Sequence, residues 1–164
     1  MSLSTTSGDV FSACVLTKNI ELPVSQLGKN IRELLTNKLV GMVEGKCGDK
    51  GYIKTNSVRV KTYSSGALKS SFAQFVVVYE CLIFTSATNM ILECKVIENT
   101  NSAGVRAFSN TESPTPFVAY LLKDHNYNND RFNQLVSGDI INVKVKCATF
   151  EINDPMVSLV GELV

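Results

Sequence analysis

The chain has 164 residues, and a chain near this length can bury roughly 70% of the surface that its unfolded form exposes. It carries 16 Lys and Arg against 15 Asp and Glu, a net charge of +1. The chain as a whole therefore has no strong field to attract a nucleic acid or an anionic membrane. Any contact with a nucleic acid must come from a local patch.

The five cysteines are spread along the chain without a Cys-x-x-Cys pair, and a single histidine is available to join them in a metal site. We therefore expect reduced, mostly buried thiols, no metal and no other cofactor. The N-terminal segment lacks the basic start and apolar core of a secretory signal. No apolar stretch approaches the ~20 residues of a membrane span, so we expect an intracellular protein without a membrane partner.

The N-terminal part begins with a predicted strand and helix. Loose alternation predicts a strand over residues 11–22, and Pro23 stops it because proline offers no ladder donor. Apolar residues then recur at three- and four-residue steps over 24–39, which predicts an amphipathic helix. Ser25 is placed to cap its N-terminus, and Gly41 to take the left-handed position after its C-terminus.

Beyond the helix, the pattern predicts an antiparallel meander. The first two strands are short and joined through a glycine-rich turn, and the last is long and rich in β-branched and aromatic residues. The predicted strands cover residues 42–47, 52–54, 58–63 and 72–84, and a small-residue loop covers 64–71.

The C-terminal part is predicted to be purely β. Five short strands, each bounded by Asn, Gly, Ser or Pro, have a longer insertion before the fourth. This arrangement predicts a small Greek-key barrel of the OB type, in which the insertion over 123–138 often carries a helical turn. The predicted strands cover residues 90–98, 104–108, 117–122, 140–150 and 156–163.

The predicted fold class is therefore α+β with two domains. A flexible leader over residues 1–10 precedes an N-terminal α+β tip domain over 11–86. A C-terminal five-stranded OB-type β-barrel covers 87–164, and the small, polar segment 85–89 marks the seam.

Four stretches, in order along the chain, carry a resemblance to a known family. They are Ile20-x-Leu22 with Leu27-Gly28, the VEGKC and GYI of residues 43–53, the FVVVY of residues 75–79 with Phe84, and the GDIINVKV of residues 138–145 with the SLVG of residues 158–161. Together they resemble the stalk subunit of multisubunit DNA-dependent RNA polymerases, which is the seventh subunit of polymerase II and has an archaeal counterpart. The last stretch looks like the end of the OB domain named after ribosomal protein S-one. The leader, the seam and the short, aromatic-poor OB half depart from the family pattern, as in a divergent lineage such as the polymerase of a large DNA virus.

The resemblance implies an accessory subunit without an active site. Its first domain would dock on the polymerase core near the clamp, which the large catalytic subunits form. Its OB domain would project near the emerging transcript and bind nascent single-stranded RNA weakly. A small helical partner of the fourth-subunit type would pair with it. The compartment would be the nucleus of a cellular eukaryote, or the host cytoplasm or virion for a viral protein.

The glycine-rich loop after the helix is the predicted docking element. Glycines let a backbone approach a partner closely, and three occur within residues 45–51. An ordinary hairpin that packs its own Tyr and Ile inward is the simpler alternative, and we expect docking for the loop and core packing for Ile53. The predicted docking residues are Glu44, Gly45, Cys47, Lys50, Gly51 and Tyr52.

RNA binding on an OB barrel needs aromatic faces for base stacking and cations that follow the phosphates. Alternation places Lys144 and Lys146 together on the outer face of their strand. For Phe108 and Phe117, packing in the core is as good an interpretation as stacking. A cluster this small predicts weak, salt-sensitive and sequence-tolerant binding. The predicted RNA-binding residues are Arg106, Phe108, Phe117, Tyr120, Lys123, Lys144 and Lys146.

Catalytic motifs are absent from the sequence. It contains no phosphate-cradling Gly-x-x-x-x-Gly-Lys, no paired-His metal motif and no Gly-x-Ser-x-Gly elbow. Two non-enzymatic alternatives remain open. A free-standing OB-fold protein that binds single-stranded nucleic acid should bind oligonucleotides tightly alone, which the near-neutral charge disfavours. A structural or assembly protein should self-associate, which the docking-loop motif disfavours.

Overall fold

The computed structural model describes residues 10–86, 88–100 and 103–164, which form one α-helix, ten strands and short 3₁₀ turns. Apart from Val10, the predicted leader lies outside the described residues, as does Ala87 at the predicted seam. The elements are β1 (Phe11–Pro23), α1 (Ile31–Val43), β2 (Tyr52–Ile53), β3 (Arg59–Tyr63), β4 (Ala67–Lys69), β5 (Phe72–Phe84), β6 (Ile91–Thr100), β7 (Gly104–Ser109), β8 (Phe117–Leu122), β9 (Ile140–Thr149) and β10 (Val157–Leu163).

The N-terminal sheet is organised around β5. Strand β1 pairs antiparallel with β5 over its whole length, from Phe11 opposite Phe84 to Pro23 opposite Phe72. The short strands β2, β3 and β4 pair successively with the other edge of β5. Alternate side chains of β5, from Ala73 onward, are buried in one core with the apolar face of α1.

Helix α1 begins and ends later than the sequence predicted. Ser25 lies in a separate 3₁₀ turn and does not cap the helix, which begins after Asn30. Gly41 lies inside the helix, because buried side chains at Leu35, Leu39 and Val43 continue one stripe at four-residue spacing. The predicted strand over 42–47 is therefore wrong. Its residue Cys47 forms an isolated bridge with Tyr52.

The predicted loop over 64–71 also differs from the structure, since it contains the short strand β4, whose Leu68 pairs with Ala73. The edge of β5 extends past β3. Pairing with β4 satisfies the backbone N–H and C=O groups that this part of the edge would otherwise expose. Sequence alternation over three residues is too short to indicate such a strand.

The C-terminal strands close into a barrel in the order β10-β8-β7-β6-β9. β10 is parallel to β8, and the other neighbouring pairs are antiparallel. This is the five-stranded Greek-key arrangement of an OB barrel, so the predicted fold class is confirmed. The insertion before β9 carries 3₁₀ turns at Lys123–His125 and Phe132–Gln134, which confirms the predicted helical turn. Among the described residues, no helix is long and apolar enough to cross a membrane.

One hydrophobic core joins the sheet to the barrel. The ring of Phe84 stacks on that of Phe117, with centroids 5.1 Å apart. At the surface of the junction, Lys54 Nζ lies 3.7 Å from Glu112 Oε2 and 4.9 Å from the centroid of the Phe11 ring. The N-terminal side chains in this core are Phe11, Cys47, Tyr52 and Phe84.

Asn126 fastens the insertion to the C-terminal strand, and its side chain is 4% exposed. Its Nδ2 donates to the Leu122 carbonyl at 2.8 Å, and its Oδ1 accepts from the Leu163 N–H at 2.8 Å. Because Asn126→Ala leaves both backbone groups without these partners, we expect it to lower the free energy of unfolding by about 1–3 kcal/mol.

Urea denaturation followed by circular dichroism measures this effect. Asn128→Ala changes an exposed residue of the same insertion and is the control, with an expected change within about 0.5 kcal/mol. Equal unfolding midpoints for the two variants would show that the Asn126 amide does not stabilise the insertion.

Candidate docking loop and nucleic-acid interface

Residues 44–51, called the tip loop below, connect α1 to β2 and are held by backbone hydrogen bonds. Gly45 follows the helix with a φ of 72°, the left-handed conformation that the sequence predicted for Gly41. The Gly45 N–H donates to the Ile53 carbonyl, and the Ile53 N–H donates to the Lys46 carbonyl, each at 2.9 Å. At the far end, the Gly48 N–H donates to the Gly51 carbonyl at 2.8 Å. Backbone hydrogen bonds therefore hold the two sides of the loop together.

Cys47 attaches the tip loop to the turn between β9 and β10. Its N–H donates to the Asp154 carbonyl, and its carbonyl accepts from the Asn153 N–H, each at 2.8 Å. The thiol is buried, and burial followed by the charge of Asp154 raises the pKa of Cys47 to about 11. Cys47 is therefore a neutral, structural residue that joins the loop to the barrel.

Glu44 braces the segment that follows β2. Its carboxylate accepts hydrogen bonds from the N–H groups of Asn56 at 3.0 Å and Val58 at 3.1 Å. Asn56 has a φ of 61°, so the carboxylate fixes a turn in the left-handed region. The Glu44 side chain is engaged within its own chain.

The remaining predicted docking residues divide into buried and exposed positions. Tyr52 is 1% exposed and packs against Phe11, with ring centroids 6.4 Å apart. Ile53 is 2% exposed, which confirms its predicted place in the core. Lys50 and its neighbour Asp49 are exposed at the end of the loop. In this conformation, a partner would meet the loop through these two side chains rather than through the tyrosine ring.

The outer face of β6, β7 and β8 brings together three of the predicted RNA-binding side chains. Arg106 lies opposite Tyr120 on one side and Glu98 on the other, and Phe108 lies opposite Lys95. The Arg106 Nε is 3.3 Å from Glu98 Oε1. Tyr120 is 38% exposed and lies on the outer face of β8. Two aromatic rings with adjacent cations make a small stacking surface.

Phe117 does not belong to that surface. Its side chain is fully buried and stacks on Phe84 at the junction. Of the two interpretations that the sequence left open for Phe117, the structure places its ring in the core. Phe108 is half-buried and lies on the outer face.

The lysines of β9 form a second group, because β6 separates β9 from β7 in the barrel. Lys146 is exposed and its Nζ lies 3.1 Å from Glu162 Oε1. Lys144 is half-buried on the same side of the strand. Lys123 is exposed and follows β8 directly, next to the β7–β8 surface.

No family model matches the chain. Its sequence is 30% identical over 89 residues to DNA-directed RNA polymerase II subunit 7 of Arabidopsis thaliana, and 29% identical over 89 residues to DNA-directed RNA polymerase II subunit RPB7 of Glycine max. Over that stretch, the chain is similar to RNA polymerase II subunit 7 of these two plants. The match covers 53% of this chain and 51% of each plant protein, so the chain spans about half the length of the relatives it matches. The resemblance to the stalk-subunit family is thereby confirmed.

Two features of the structure could not be predicted from the sequence. The backbone bridge from Cys47 to Asn153 and Asp154 joins segments far apart in the chain, and no local pattern indicates such a contact. The ion pair of Glu98 with Arg106 depends on a register shift in β6 between Val96 and Glu98. Among the described residues, no group of three or more His, Cys, Asp or Glu is placed to hold a metal ion.

Proposed function

We propose that the chain is a non-catalytic stalk subunit of a DNA-dependent RNA polymerase, which docks on the polymerase core near the clamp and contacts nascent RNA. The observation that carries the proposal is the match to polymerase II subunit 7, found in a chain that joins an α+β unit to an OB barrel. The proposed partners are the large catalytic subunits, a small helical protein of the fourth-subunit type and single-stranded RNA. The compartment is that of the polymerase: the nucleus, or the host cytoplasm or virion for a viral enzyme.

The junction supports a role as a stalk. The Cys47 backbone bridge and the stacked Phe84 and Phe117 rings fasten the tip loop and the barrel to each other. If Asp49 and Lys50 at the end of the loop contact the polymerase core, this packed junction fixes the position of the barrel relative to the core. We therefore propose two domains with separate binding tasks, connected by a packed interface.

Reversing the charge of Lys50 tests the docking surface. Lys50 is exposed at the end of the tip loop, and we expect Lys50→Glu to reduce recovery of the large polymerase subunits about tenfold, the equivalent of 1.4 kcal/mol. The tagged chain is purified from its native source at moderate salt, and co-purifying proteins are quantified by mass spectrometry.

Lys69→Glu is the matched control for this experiment, since Lys69 is an exposed lysine on β4. We expect it to leave polymerase recovery unchanged. If the chain is recovered alone or with RNA, at a salt concentration that leaves polymerases intact, the stalk assignment fails and the free-standing nucleic-acid binder takes its place.

Removing the exposed ring of Tyr120 tests the proposed RNA face. Base stacking on an aromatic side chain contributes about 1–3 kcal/mol, so Tyr120→Ala should weaken binding of single-stranded RNA about tenfold. Tyr63, also 38% exposed but on the N-terminal sheet, gives the control variant Tyr63→Ala. Fluorescence anisotropy with a labelled oligonucleotide, in low and moderate salt, measures both. Equal affinities for the two variants would place the RNA contact elsewhere.

A further inference from the structure

Two cysteines of the N-terminal sheet lie directly opposite each other. Cys14 of β1 and Cys81 of β5 are partners in the antiparallel register, so their side chains point to the same face of the sheet. The Cα atoms of such partners are about 4.5 Å or about 5.5 Å apart, depending on the type of pair. Both separations fall within the roughly 4.4–6.8 Å that disulfides span. The paired strands therefore hold the two cysteines at a backbone separation that suits a disulfide.

We propose that Cys14 and Cys81 form a cross-strand disulfide when the protein meets a peroxide. In the first step, the Cys14 thiolate attacks one peroxide oxygen, the O–O bond breaks, and protonation gives a sulfenic acid and one water. In the second step, the Cys81 sulfur attacks the Cys14 sulfur, the S–OH bond breaks, and a second water leaves. The peroxide gains the two electrons that the two thiols lose.

The surroundings of the two thiols differ in a way that orders these steps. Cys81 is 3% exposed, whereas Cys14 is half-buried at the margin of the same core. Burial, followed by the charges of Cys14 and Glu44, raises the pKa of Cys81 to about 11. A neutral, buried thiol reacts slowly with peroxide, so Cys14 is the first to be oxidised and Cys81 resolves it.

The other cysteines serve as internal controls, since their register partners are not cysteines. Cys94 is buried and lies opposite Ser109 and Ile141. Cys147 is exposed on β9 and lies opposite Val160. Peroxide can oxidise Cys147, but its neighbours offer no thiol within the sheet to form a disulfide with it.

The disulfide would link β1, a strand at the edge of the sheet, to β5. Within the described sheet, β1 hydrogen-bonds to β5 and to no other strand. The Cys14–Cys81 pair lies three register positions from Phe11 and Phe84, which enter the core shared with the barrel. Oxidation would therefore tie β1 in place beside the junction.

The test is a peptide map of the purified full chain after treatment with hydrogen peroxide. Free thiols are alkylated under denaturing conditions before digestion and mass spectrometry. We expect a Cys14–Cys81 cross-linked peptide with the mass of two hydrogens lost, which dithiothreitol reverses. It should persist in Cys147→Ser and be absent from Cys14→Ser. Conversion of Cys14 to sulfinic or sulfonic acid while Cys81 remains alkylatable would overturn the proposal, as would disulfides confined to Cys147 between chains.

Thermal unfolding gives a second readout that does not require a substitution in the core. The oxidised chain should unfold at a higher temperature than the reduced chain, because the bond restricts the unfolded state. Peroxide-treated Cys14→Ser should show no such rise. Equal unfolding temperatures of the oxidised and reduced wild-type chain would contradict the claim that the bond fastens β1. Neither readout depends on polymerase binding, so a negative result here would not bear on the proposed function.

Discussion

Replacing Gly51 with alanine is expected to lower the free energy of unfolding by about 3 kcal/mol or more, from backbone strain and overpacking together. Gly51 has a φ of 141°, which side-chain-bearing residues rarely adopt. An added Cβ would lie 2.3 Å from the Phe84 carbonyl oxygen and 2.9 Å from Thr85 Oγ1. The Phe84 backbone cannot move away easily, because it pairs with Tyr52 and because the Phe84 ring is packed in the core at the junction.

Gly48→Ala is the matched control in the same loop. Its φ lies outside the left-handed region, and an added Cβ would lie 3.5 Å from Ile53 Cδ1, an ordinary contact. We expect its free energy of unfolding to change by less than about 1 kcal/mol. Urea denaturation followed by circular dichroism compares the two variants. If both unfold at the wild-type urea concentration, the tip loop is not held against β5 as the structure describes.

Phe117→Ala is expected to cost about 3–5 kcal/mol of folding free energy, the range for removing a buried aromatic ring. The side chain is fully buried and its ring stacks on Phe84 across the junction. The cavity would open between the sheet and the barrel. Chemical denaturation measures the loss, and the remaining folded protein should bind RNA with wild-type affinity, because the ring does not reach the outer face.

Phe108→Ala is the companion variant, because Phe108 is half-buried on the outer face opposite Lys95. It should cost clearly less stability than Phe117→Ala and should weaken RNA binding instead. A stable Phe117→Ala variant with weakened RNA binding would contradict the division between core and surface described above.

Long, regular elements were predictable from the sequence. Strands β5 (Phe72–Phe84) and β8 (Phe117–Leu122) have the predicted bounds, because both segments are rich in β-branched and aromatic residues and are flanked by polar residues or proline. The bounds of α1 were not predictable. Ser25 and Gly41 are good local capping residues, but burial of the stripe that ends at Val43 outweighs these weaker preferences.

The sequence predicted which segments form the candidate sites, but it predicted less well which of their side chains are buried and which are exposed. Glycine spacing indicated the tip loop, yet its contact with Asn153 and Asp154 arises from tertiary packing that no local pattern encodes. Alternation along β8 separates Phe117 from Tyr120 but does not say which face turns inward. The closed barrel decides this, since Phe117 meets Phe84 from the N-terminal sheet.

Cross-linking mass spectrometry of the native complex tests the central claim most directly. The tagged chain is purified from its source, treated with a lysine-reactive cross-linker and digested. We predict cross-links from Lys50 at the end of the tip loop to the large catalytic polymerase subunits, while Lys69 on β4 gives none or far fewer. A complex without those subunits, or one whose cross-links to them arise from Lys69 and not from Lys50, would contradict the account.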